Sequence, residues 1–202
     1  MSSLQELPAA DSAVLAASIG SAVLYLALVR SPPSLWRMTV KTASTALLST
    51  VAFMQGGPRL LVGALALGSL GDAFWPWDDE TSFLCGLASF LTAHLLYIAV
   101  FFQKNGSGTA AFHVLVGGWR AMVAGCLGLL VPIMIASLLP RIGPELRPPV
   151  VVYSLAIFAM ALTALTLNSS QLIAGTHAVW ILYYGGQLLI TLGFLSLGVV
   201  AE

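Results

Sequence analysis

Seven apolar runs, each close to the length that crosses a bilayer, follow one another along this chain with only short polar breaks. They lie at about 13–29, 35–55, 59–75, 82–102, 115–139, 149–167 and 176–200. A spanning helix needs about 20 mostly apolar residues, and its backbone polar groups must be satisfied within the segment, because hydrocarbon offers them nothing. The breaks carry Pro, Gly or charge: Pro32 and Pro33; Gly56, Gly57 and Pro58; Pro76 with Asp78, Asp79 and Glu80; Lys104 with Gly106; Arg141 through Pro144 to Pro149; and Asn168. Pro and Gly end helices for backbone reasons, and charges belong in water or headgroups. The expected architecture is therefore all-α: a polytopic transmembrane helix bundle of about seven spans, with short loops making consecutive helices antiparallel neighbours. It should form a single domain over 13–200, after a disordered segment at 1–12.

Composition excludes most alternatives. The chain is 58% hydrophobic and only 8% charged, whereas a soluble domain carries roughly a quarter charged residues. Its formal net charge of zero argues against a nucleic-acid partner. Cys85 and Cys126 both fall in apolar runs, where a thiol behaves as a small hydrophobe, and they give no zinc or disulfide pattern. No cofactor and no metal are expected. The first run lacks the basic leader of a signal peptide, since Glu6 and Asp11 precede it, and reads as a retained helix.

Orientation is weakly marked. Arg30, Arg37, Lys41, Arg141 and Arg147 gather toward one face, and Arg59, Lys104 and Arg120 toward the other. The first group is favoured as cytoplasmic, which puts the N-terminus and the sequons at Asn105 and Asn168 outside or in a lumen. Endoplasmic reticulum and plasma membrane are both open as compartments. Short loops and many Gly residues allow a homodimer through close helix contact.

Polar residues inside the runs are where function is expected, because an ionisable group in hydrocarbon is costly unless it faces a partner or a cavity. Lys41 lies about six residues into the second run, and Asp72 about four from the end of the third. Both should sit at a similar depth below one face. Lys41 either pairs with Asp72 or snorkels to the headgroups. Asp72 either lines a cavity or is a helix-end carboxylate reaching interfacial water. His94 lies near the middle of the fourth run, with Phe90 and Tyr97 on the same helical face. It is either a functional group or a helix–helix hydrogen-bond former. Tyr183 and Gln187 share a face of the last run and can bond each other or a ligand. Trp75 and Trp77 read as interfacial belt residues, and 78–80 as a solvated acidic loop. There is no Gly-x-Ser-x-Gly elbow, no phosphate-binding Gly-rich loop and no His-Glu-x-x-His, so Asp72 with His94 is the acid–base set that remains.

These residues also form a pattern. Gly71-Asp72 is followed by Phe83, Gly86, Phe90, His94 and Tyr97, then by Tyr183, Tyr184, Gln187, Leu188, Ile190 and Gly193, with Lys41 ahead and Tyr153 and Met160 between. From about residue 25 to 195 this resembles the YhhN family, which includes the TMEM86-type lysoplasmalogenases. The resemblance implies an eight-helix membrane hydrolase acting on lipid. Members with assigned activity cleave the vinyl ether bond of lysoplasmalogen to a fatty aldehyde and a glycerophospho-ethanolamine or -choline. It further implies Asp72 as the acid, His94 orienting water or the headgroup, Lys41 near the phosphate, and Tyr97, Tyr183 and Gln187 against the substrate. One departure accompanies the matches. The family has a second acidic motif, Gly-Ala-x-x-Phe-x-x-Ser-Asp, in a helix before the Tyr-Tyr-x-x-Gln segment. Here only 22 residues separate Met160 from Tyr183, and the motif is absent. Two other readings therefore stand beside the hydrolase: a catalytically impaired lipid-binding or structural membrane protein of the same fold, and a small proton-coupled transporter.

Overall fold

A computed structural model of the chain describes residues 8–28, 30–32, 34–74, 79–105, 113 and 115–167. Its contacts define two units, Met1–Leu165 and Thr166–Glu202. Every helix described below belongs to the first. The expected run at 176–200, and with it Tyr183 and Gln187, lies outside the described residues.

Six α-helices occupy six of the seven expected runs: α1 Ala9–Leu28, α2 Leu35–Met54, α3 Arg59–Phe74, α4 Glu80–Asn105, α5 Gly118–Leu138 and α6 Arg147–Leu165. Two single 3-10 turns, Leu139–Arg141 and Pro144–Leu146, join α5 to α6. The fold is all-α. Helix α1 begins at Ala9, so residues 9–12 of the segment expected to be disordered are helical.

The helix ends follow local chemistry. Ser34 caps α2 by accepting from the Arg37 amide at 3.3 Å. At the other end of α2, Gly56 adopts φ +66°, the left-handed turn that glycine takes without a steric cost. The Gly57 amide folds back onto the Ala52 carbonyl at 2.8 Å, and Pro58 then starts α3. Asp79 caps α4, its Oδ1 accepting from the Ser82 amide at 2.8 Å. Pro148 and Pro149 sit in the first turn of α6, where a missing N–H costs nothing.

Helices α1, α2, α3 and α4 pack in sequence, α6 packs on α4, and α5 packs on α6. Contacts fix the first three pairs as antiparallel. Ser18 of α1 donates to the Ser44 carbonyl of α2 at 2.6 Å. Ser49 of α2 reaches the Val62 carbonyl of α3 at 2.9 Å, and Ser69 of α3 reaches back to the Thr42 carbonyl at 3.2 Å. Hydroxyl-to-carbonyl bonds of this kind tie helices together where lipid supplies no hydrophobic drive for association. Between α3 and α4 the tie is steric. A Cβ on Gly71 would stand 2.8 Å from the Phe90 ring, so only glycine lets the two backbones approach this closely.

Among the described residues, four segments are long and apolar enough to cross a bilayer: Ala9–Leu28, Glu80–Lys104, Gly118–Arg141 and Pro144–Leu165. The chain is an integral membrane protein. The count of about seven spans is not reached among the described residues. At 16 residues, α3 is only about 24 Å long against a hydrocarbon core of about 30 Å, and α2 carries Arg37 and Lys41 in its first two turns. These two helices are held between α1 and α4, and they carry Lys41 and Asp72.

Candidate functional site

The buried face of α3 sets the site. Ala64, Leu65, Gly68, Ser69, Gly71 and Asp72 are all buried, a three-and-four spacing that forms one continuous stripe. Small residues fill most of it, and Asp72 closes it near the C-terminal end. The residue is 8% exposed. A carboxylate that far out of water needs a partner, and Lys41 provides one, with Nζ 2.8 Å from Asp72 Oδ1. Lys41 therefore pairs with Asp72 instead of snorkelling away from it.

The second carboxylate oxygen is also held. Thr45, one turn beyond Lys41 on α2, donates its hydroxyl to Asp72 Oδ2 at 3.4 Å. Lys41 Nζ lies 5.8 Å from the centroid of the Tyr25 ring on α1, within cation–π range. The Arg37 guanidinium stands 5.8 Å from the same centroid. Two α2 side chains thus hold the α3 carboxylate, and α1 adds the Tyr25 ring beside Lys41.

His94 and Tyr97 belong to a second cluster on α4. His94 is completely buried, and Tyr97 is 7% exposed. The Nδ1 atom of His94 bonds the carbonyl of Phe90, one turn earlier on its own helix. A carbonyl can only accept, so Nδ1 carries the proton in that bond. The ring meets Tyr153 of α6 edge-on, with centroids 5.3 Å apart and planes at 85°. Tyr97 stacks on Phe101 at 6.2 Å.

Asp72 and His94 are not bonded to each other: among the described residues, no hydrogen bond or ion pair joins them. Gly71 faces Phe90 while Gly63 faces Leu96 Cδ1 at 3.3 Å, which puts His94 roughly 8–10 Å further into the bundle than Asp72 along α3.

Lys41, Asp72, His94 and Tyr97 are thus placed in two neighbouring groups inside the helices. Tyr183 and Gln187 fall outside the described residues. Sequence reasoning missed Thr45 and Tyr25. The Thr45 signal was present, since a hydroxyl four residues after Lys41 shares its face. Tyr25 gave none beyond its position near the end of the first run.

The comparisons with known proteins point the same way. Residues 36–177 match the sequence model of the YhhN family. Over 165 residues the chain is 31% identical to a human protein named Lysoplasmalogenase TMEM86B, an overlap covering 69% of this chain. The chain spans about 65% of that relative's length. No solved structure matches. A family match over most of the chain, with Lys41, Asp72, Phe90, His94 and Tyr97 lying on packed helices, places the protein: it belongs to the YhhN family.

Proposed function

We propose that the protein is a membrane-embedded hydrolase that cleaves the vinyl ether bond of a lysoplasmalogen, giving a fatty aldehyde and a glycerophospho-ethanolamine or -choline. The observation that carries this reading is the buried Lys41–Asp72 pair, 2.8 Å apart, in a chain similar to a protein named as a lysoplasmalogenase. A vinyl ether is opened by adding a proton to its β-carbon, which leaves an oxocarbenium ion on the α-carbon. The catalyst must supply that proton, a negative charge near the cation and a directed water.

The pair meets the first two requirements in one step. A proton passes from Lys41 Nζ across the 2.8 Å contact to Asp72 Oδ1 and on to the β-carbon. What remains is a neutral amine and a carboxylate beside the oxocarbenium ion. Thr45 holds the other carboxylate oxygen and so fixes the plane of the group. Water then adds to the α-carbon and passes a proton through an intervening water to His94 Nε2, leaving a neutral hemiacetal. On collapse, the glycerol C–O bond breaks and the leaving oxygen takes that proton back along the same path. The hemiacetal hydroxyl returns its proton to Lys41. One water is consumed and every group regains its starting state. Tyr97, on the His94 face, and Tyr183 and Gln187 of the last run are proposed to contact the substrate.

The purified chain in detergent is expected to release fatty aldehyde from a 1-alkenyl lysophospholipid and none from the saturated 1-alkyl analogue. Absence of aldehyde from a well-folded preparation would overturn this reading. It would favour a lipid-binding protein without turnover, which the missing Ser-Asp motif already supports as the second reading.

A further inference from the structure

Two cations share the Tyr25 ring. Arg37 and Lys41 each stand 5.8 Å from its centroid, and one carboxylate, Asp72, bonds only the second of them. Arg37 uses a single guanidinium N–H, donated from Nη1 to the Ser31 carbonyl at 2.8 Å. Among the described residues no carboxylate bonds it. A half-buried guanidinium carries five donors in a rigid fork, a shape that matches a phosphate.

Its depth also fits. Trp36, next in the chain, is 60% exposed, as expected of an aromatic anchor at the headgroup level. Arg37 precedes Lys41 by one helical turn on the same face, about 6 Å closer to that surface.

We propose that Arg37 binds the phosphodiester of the lysolipid substrate and so sets how deeply the ether bond reaches. This rests on the lipid-hydrolase reading for the substrate's identity, but not on turnover. In a glycerophospholipid, seven bonds separate the phosphorus from the vinyl β-carbon, a reach of roughly one and a half helical turns. A phosphate held by Arg37 therefore brings the β-carbon to the depth of Lys41 and Asp72. The alkenyl chain then continues toward His94. The Ser31 carbonyl and the Tyr25 ring keep the fork in place before substrate arrives, so Arg37 is a positioning residue for affinity and not a proton donor.

The bilayer's own headgroups offer the same phosphodiester chemistry, and the test separates the two sources. Quenching of intrinsic tryptophan fluorescence in the purified full-length chain reports the Kd of a non-cleavable 1-alkyl lysophosphatidylcholine, of 1-alkylglycerol lacking the phosphate, and of a diacyl phosphatidylcholine. The parent should prefer the phosphate-bearing lysolipid over the alkylglycerol. Arg37→Gln should shrink that preference by roughly tenfold to a hundredfold, with alkylglycerol binding unchanged. Arg37→Lys, which keeps a charge without the fork, should fall between, and it carries the test if the glutamine variant melts early.

An unchanged preference in both variants would overturn the proposal. So would an equal Arg37-dependent loss for the diacyl lipid, which would make Arg37 a bilayer anchor. If lysolipid binding depends on Arg37 while no aldehyde is ever released, the hydrolase reading falls and the phosphodiester site stands.

Discussion

Helices α3 and α5 are built on opposite plans. Helix α5 is 21 residues long, apolar beyond Arg120 in its first turn, and carries no buried residue; Leu129, Leu130, Ile133 and Met134 all face outward. Helix α3 is 16 residues long, buries a stripe of small residues and ends it on a carboxylate. Length and apolarity mark α5 as a membrane span and leave α3 below the threshold. The difference teaches that in this bundle hydropathy finds the lipid-facing wall, whereas interruptions of hydropathy find the interior. Glycine, serine and aspartate on α3 are the residues that let α2 and α4 pack against it.

The sharpest way to break this contrast is to change charge on α3. Asp72→Asn should lower aldehyde release by about a hundredfold or more, whereas Ile133→Ala on α5 should leave the rate within about twofold. A fall of similar size in both would show that the effect is general destabilisation. Stability gives the next test. Asp72→Ala strands Lys41 without its carboxylate and should cost about 3–5 kcal/mol, read by unfolding in detergent. The double variant Asp72→Ala, Lys41→Met should cost less than the sum of the two single changes.

Glycine substitutions sharpen the comparison at smaller magnitude. Gly71→Ala pushes a methyl to within 2.8 Å of the Phe90 ring and should cost about 1–3 kcal/mol. Gly128 of α5 has nothing within 4 Å of its would-be Cβ, so Gly128→Ala should stabilise by about 0.5–1 kcal/mol through helix propensity alone. Equal effects at the two sites would contradict the packing described between α3 and α4.

The smallest effect belongs to the cap of α4. Hydrogen bonds from Ser82 hold the exposed Asp79 carboxyl below its usual range. Such a group stabilises the fold above the unfolded-state pKa, and the contribution is lost as pH falls through the folded value. Asp79→Ala should therefore lower the melting temperature slightly at neutral pH. The gap from the parent should close on acidification below the ordinary aspartate range. A gap that widens in acid would contradict the cap.

The sequence was most legible where bilayer thickness sets the answer. Runs expected at 35–55 and 59–75 are helices Leu35–Met54 and Arg59–Phe74. Helix α1 starts earlier than expected because a helix can continue into polar residues beyond the hydrocarbon, as it does through Asp11 and Ser12. The site was partly legible, because Lys41, Asp72 and His94 each break an apolar run. Which way Lys41 would turn was not, since snorkelling and pairing are equally open until α2 and α3 are seen side by side. Tyr25 and Thr45 were missed for a related reason. Neither is unusual within its own helix, and both matter only through what a neighbouring helix brings to them.

The central claim is that Lys41 and Asp72 act as one proton-delivering unit. The direct test measures aldehyde release by the parent, Lys41→Met, Asp72→Asn and the double variant, each checked for folding. Two halves of one unit give losses that do not multiply, so the double variant should be no slower than the worse single. Independent losses that multiply, or full turnover by Asp72→Asn, would contradict the claim.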